Sequence, residues 1–158
     1  MKQLWEAGDF IRKLRRRMRF GKLSRAPLRL LRLEVRGEVA ECEWLARPAD
    51  IWAATLPRPV RERDASLQAL QDAIALREML FSALPDVETA ELRVFRQSAR
   101  EPPELIVIGT VTREAPAVAR VTSPAMRAKL YGFQFRLDDG ILGLLEVEDS
   151  GLQLMISA

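Results

Sequence analysis

The chain has 158 residues and no histidine, and its single cysteine is Cys42. Without imidazole there is no Ser-His-Asp or Cys-His triad, no imidazole acid–base chemistry and little scope for a transition-metal site. One cysteine excludes an intramolecular disulfide framework and any Cys-cluster zinc or iron–sulfur centre. Lysine is scarce too, and only Lys129 lies beyond residue 25. Nothing beside it supports Schiff-base chemistry. The glycines at 8, 21, 37, 109, 132, 140, 143 and 151 form neither a G-x-G-x-x-G nor a Walker-type loop, and there is no G-x-S-x-G elbow. No run approaches the roughly 18 apolar residues that cross a bilayer. No motif therefore marks a catalytic, cofactor-binding or metal-ligating residue.

What is present is an ordinary globular mixture, 48% hydrophobic and 30% charged. A chain of this length forms one domain and buries enough surface to fold without metal or disulfide. Its charge is uneven. Residues 1–25 hold nine bases and two acids, a net of +7, against −4 for the remainder of a chain whose total is +3. The expected organisation is a basic amphipathic arm over 1–25 and one α+β domain over 26–158. Arg25, Arg29 and Arg32 interrupt the segment where a signal peptide needs its hydrophobic region, and the Arg15-Arg16-Arg17 run fails as a twin-arginine signal for the same reason. Glu6 and Asp9 argue against a transit peptide. The expected setting is a soluble protein of the reducing cytoplasm.

Periodicity predicts a helix over 3–20, with Leu4, Ala7, Phe10, Ile11, Leu14 and Met18 on one face and Gly21 as its stop. Apolar positions are odd at Leu31, Leu33 and Val35, then small or apolar positions are even at Ala40, Cys42 and Trp44. That switch predicts a hairpin turned at Arg36-Gly37, with Leu31 opposite Cys42, Leu33 opposite Ala40 and Arg32 opposite Glu41. Residues 47–60 carry Pro48, Pro57 and Pro59 and read as a connector containing Trp52. A helix follows from Asp64 to about Leu84, then strands over 87–96 and 104–113. A short helix begins after Ser123 and stops before Gly132. Alternating Phe133, Phe135 and Leu137, a turn at 138–140, a strand over 141–147, a turn at 149–151 and a strand over 152–156 complete the chain. The order α-ββ-α-ββ-α-βββ predicts an α+β fold, a mostly antiparallel sheet built from hairpins with helices on one face.

Cys42 between Glu41 and Glu43 reads as a buried structural thiol. Asp138, Asp139, Glu146, Glu148 and Asp149 sit at turns without EF-hand spacing and read as solvated. The feature above background is the arm. Arg12, Lys13, Arg15, Arg16 and Arg19 cover about 160° of the helical wheel on its polar side. Arginine binds two oxygens of a phosphate or carboxylate at once. The expected function is a non-enzymatic binding or assembly module that engages nucleic acid, an anionic membrane or a partner protein through residues 1–22. Trp5, Phe10 and Phe20 are available to stack on bases. Packing of the arm on its own domain is the structural counterpart of that reading. A homo-oligomer through the apolar strand Leu152 to Ile156 is the second partner expectation. The alternative is a small enzyme that uses carboxylates or a bound divalent metal.

Overall fold

The computed structural model describes residues 2–17, 28–48, 55–97 and 102–145. In chain order the elements are α1 (Lys2–Arg17), β1 (Arg29–Arg36), β2 (Val39–Leu45), α2 (Arg58–Ala83), β3 (Thr89–Arg96), β4 (Glu104–Thr112), α3 (Pro124–Tyr131), β5 (Phe133–Phe135), β6 (Leu137–Asp138) and β7 (Ile141–Leu142). Strands β1 to β5 form one sheet in sequential order, and β6 and β7 form a separate hairpin. The fold is α+β, and every pairing in the main sheet is antiparallel except that of β2 with β3.

That exception is not anticipated by a reading in hairpins. Two parallel neighbours cannot be joined by a tight turn and need a crossover. The crossover here is α2, which starts six residues earlier than Asp64. Its first turn contains Arg58 and Pro59, after Pro57 at the cap. Proline costs nothing there, because the first amides of a helix have no intrahelical acceptor. Two of the three prolines that mark a connector in the sequence, Pro57 and Pro59, are thus the start of the central helix.

The first hairpin forms with a different register. Val35 pairs with Ala40 and Leu33 with Cys42, so the loop is Gly37-Glu38 rather than Arg36-Gly37. Gly37 has φ +60 while Glu38 keeps a negative φ, the signs of a type II′ turn with glycine at its first central position. The register moves by two residues, an even number, so the face assignment survives for Leu33 and Val35. Leu31 no longer faces Cys42. It sits at an irregularity between Leu30 and Arg32 and is exposed. Arg32 still donates to Glu41, at 2.7 Å, now as a diagonal neighbour.

All three helices contribute to one core on one face of the sheet. Phe10 and Leu14 of α1, Leu70, Ala73 and Leu80 of α2, and Ala128 and Tyr131 of α3 join Ala40, Cys42, Trp44, Leu92 and Val94. The other face carries charge, with Arg93 of β3 3.7 Å from Glu43 of β2. Cys42 is fully buried, and burial pushes its thiol well above the usual range, which leaves it protonated and structural. Helix α3 begins as expected. Ser123 Oγ accepts from the Met126 amide at 3.3 Å, and Gly132 closes the helix in the left-handed region. Beyond it, the alternating stretch from Phe133 breaks at Arg136 into β5 and β6, and of the strand expected over 141–147 the described residues form a strand at Ile141–Leu142. Met18, Arg19, Phe20, Trp52, residues 146–151 and the strand expected over 152–156 lie outside the described residues.

Gly109 of β4 faces Phe133 of β5. A Cβ at Gly109 would stand 2.7 Å from a Phe133 ring carbon and 3.2 Å from both the Gly132 carbonyl oxygen and the Phe133 Cα. Two of these neighbours are backbone and cannot swing away. Gly109→Ala is therefore expected to destabilise the protein by about 1–3 kcal/mol through overpacking. Urea unfolding measures it, and a variant as stable as the parent would show that β5 does not pack this closely on β4.

Candidate functional site

Two basic surfaces stand out among the described residues. The first is α1. Phe10 and Leu14 are buried in the core, with Ile11 packed against it, so the helix is held by its own domain. Arg12 and Arg16 are exposed and Lys13 is half exposed. Spacings of three and four residues place these cations on one side of the helix. Asp9 shares that side, 3.0 Å from Lys13 and 3.8 Å from Arg12. Arg15 lies on the same helix, and Arg19 is outside the described residues. The structure thus brings Arg12, Lys13 and Arg16 together and tests neither of the other two predicted positions.

The second surface is a cleft of about 930 Å³ at one end of the sheet. The parallel pairing explains where it lies. Strands β2 and β3 run in the same direction and both finish there, and α2 begins there after leaving β2. Crevices of this kind, outside the carboxyl ends of parallel strands, are the usual ligand positions of α/β sheets. Five arginines line the cleft: Arg29 from β1, Arg47 after β2, Arg58 and Arg61 from α2, and Arg96 from β3. The acids among the lining are Glu62 and Glu104. Leu45, Ile106, Ile141 and Leu142 give it an apolar wall.

The arginines are not equivalent. Arg58 is held by Glu62 at 2.7 Å, one turn further along α2. Arg96 donates to the Leu142 carbonyl at 2.6 Å and reaches Glu104 at 3.3 Å. Arg47 is buried, with Nε 2.9 Å from Asp72 Oδ2 and Nη2 donating to Asp72 Oδ1 at 3.2 Å. Gln68 also donates to that oxygen, at 2.8 Å. Arg29 and Arg61 have no hydrogen-bond or ion-pair partner among the described residues, and Arg61 Nε is shielded from solvent as well.

Sequence reasoning did not find this cleft. Its arginines are scattered over nearly seventy positions, and three of them fall within or at the edge of the supposed connector 47–60. Pro57 and Pro59 obscured the start of α2. The signal that was available is the helical spacing of Arg58, Arg61 and Glu62 directly behind Pro57. Of the carboxylates considered as metal ligands, two are described. Asp138 and Asp139 are exposed at the β6–β7 turn, Glu146, Glu148 and Asp149 lie outside the described residues, and no described group of three acidic or thiol ligands is close enough to share a metal ion. The chain matches no known family, no curated protein and no solved structure, so its sites are read from their own geometry.

Asp72 gives this end of the molecule a pH dependence. Burial pushes its carboxyl up to about 6, against the downward pull of Arg47 and Gln68. An unfolded aspartate titrates near ~3.9. Between those values the folded state holds a proton that the unfolded state has lost, so this contribution to stability declines as pH rises from about 4 through about 6. Its upper bound is roughly 3 kcal/mol. Asp72→Asn should lack this component, so the parent should lose stability relative to the variant across that window in urea unfolding. Parallel pH profiles would show that Asp72 titrates alike in both states.

Proposed function

We propose that the protein is a non-enzymatic binding module that engages an anionic macromolecule through the polar face of α1. The observation that carries this reading is the division of that helix. Phe10 and Leu14 are committed to the core while Arg12, Lys13 and Arg16 stay in solvent. A helix that lies in a membrane surface needs its apolar face free to enter the lipid. Here that face is occupied, which favours a partner met by charge alone. Nucleic-acid phosphates are such a partner, and arginine forks suit their paired oxygens.

Binding of this kind releases counterions and weakens steeply with salt. A fluorescein-labelled DNA duplex is expected to bind at low salt and to dissociate as salt is raised. Reversal of Arg12, Lys13 and Arg16 to Glu is expected to weaken binding at least tenfold. The circular dichroism spectrum should not change, because these side chains lie outside the core. Equal binding by the variant would overturn the reading. Stronger binding to phosphatidylserine vesicles than to DNA would replace nucleic acid by a membrane surface.

A further inference from the structure

We infer that the arginine cleft is a binding site for a small amphiphilic organic anion, with a forked oxyanion at one end and an apolar body. The inference rests on the cleft and is independent of the α1 face. The cationic side of the argument begins with pairing. Arg47, Arg58 and Arg96 each have a carboxylate partner, so they frame the cleft without leaving excess charge. Arg29 and Arg61 have none among the described residues. A guanidinium drawn out of water without a hydrogen-bond acceptor is costly, and Arg61 Nε is in that position. The arrangement becomes favourable when an oxyanion enters, since the Arg61 guanidinium then regains charge-assisted hydrogen bonds and the exposed Arg29 adds its own.

The helix adds charge of the same sign. Helix α2 opens into the cleft with no side-chain cap and no acidic residue in its first turn. Its positive dipole end favours an anion, as do the two arginines, although the Val60 and Arg61 amides are already held by the Pro57 carbonyl, at 3.0 and 3.2 Å. The opposite end of α2 is treated differently. There Arg113 donates to the Leu84 carbonyl at 2.6 Å and the Val87 carbonyl at 2.9 Å, so the negative end is satisfied by the protein's own cation.

The rest of the ligand follows from the walls. The space of about 930 Å³ far exceeds what an inorganic ion fills and falls within the range of small-molecule sites. Leu45, Ile106, Ile141 and Leu142 offer no polar side-chain atom, so the part of the ligand beyond the oxyanion is apolar. A phosphate monoester and a carboxylate share the required forked oxyanion.

Titration calorimetry of the full chain with octyl phosphate, octanoate, octanol and inorganic phosphate tests this. At least one of the two amphiphilic anions should saturate a single site, at least tenfold more tightly than octanol or inorganic phosphate. A preference for octyl phosphate assigns the headgroup as a phosphate monoester, and a preference for octanoate assigns it as a carboxylate. Arg61→Gln and Arg29→Gln should each weaken binding about tenfold. Neither should lower the melting temperature of the free protein, because each removes an unpaired charge. Arg29 is exposed at the start of β1, so its variant keeps the fold even if that of Arg61 does not. The inference fails if octanol binds as tightly as the anions, if neither anion saturates, or if Arg29→Gln binds octyl phosphate and octanoate as the parent does.

Discussion

The parallel pairing of β2 with β3 is the constraint on which the rest of the structure depends. Every other neighbour in the main sheet is antiparallel. A single parallel step obliges the chain to travel back along the sheet before β3 can begin, and a helix packed on the face is the economical route. With 26 residues, α2 is about 39 Å long, whereas the seven residues of β2 span about 23 Å. The helix therefore extends past the strands it connects. Its first turns stand beside the ends of β2 and β3 rather than over them, and the space between is the arginine cleft. The same helix supplies the residues against which α1 and α3 pack.

In a chain without histidine and with four lysines, arginine performs most of the cationic work, in contrasting ways. Arg77 is buried on α2, donates to the Thr112 carbonyl at 2.6 Å and lies 4.4 Å from the centre of the Tyr131 ring. Burial lowers its pKa from the usual guanidinium value, yet no neutral side chain could supply the same donors and ring contact. Arg113 closes the end of α2. On the outer sheet face Arg32 and Arg93 answer Glu41 and Glu43. These groups stitch elements together, and each has an acceptor within the protein. Arg29 and Arg61 differ in kind, because the fold places them without giving them an acceptor.

Legibility in the sequence followed the range of the interaction. Helix α3 was readable because Ser123 and Gly132 act within one turn of the chain. The first hairpin was readable as a switch of parity, and the faces of Leu33 and Val35 came out right because the error in register was even, whereas the irregularity after Leu30 leaves Leu31 exposed and puts Leu30 against the core. The register itself depended on which two residues form the turn, and Arg36-Gly37 and Gly37-Glu38 satisfy the parity pattern equally. Placing glycine at the first central position of a II′ turn decides between them. The parallel step left no local trace, since β2 and β3 alternate like strands of a hairpin. On α1, the buried stripe was legible from its 3.6-residue period, and Phe10 and Leu14 fulfil it. The cleft was not legible, because its members meet only after a long crossover has formed.

The two basic surfaces bear differently on stability. The cations of α1 stand in water, where charge costs little and salt screens it. They can be numerous without weakening the fold. In the cleft Arg61 Nε is withdrawn from water, and there an uncompensated guanidinium works against folding. At the same end, Arg47 is already matched by Asp72 and Gln68, so a means of neutralising a buried guanidinium was available to this architecture. Arg29 and Arg61 are left outside that arrangement, although Glu62 and Glu104 line the same space. Those carboxylates are taken by Arg58 and Arg96. Packing alone gives no reason for an arginine at the position of Arg61, because leucine or methionine would fill the same volume without the desolvation cost. A ligand that supplies the missing oxygens gives one, and it would convert an unfavourable feature of the free protein into binding energy.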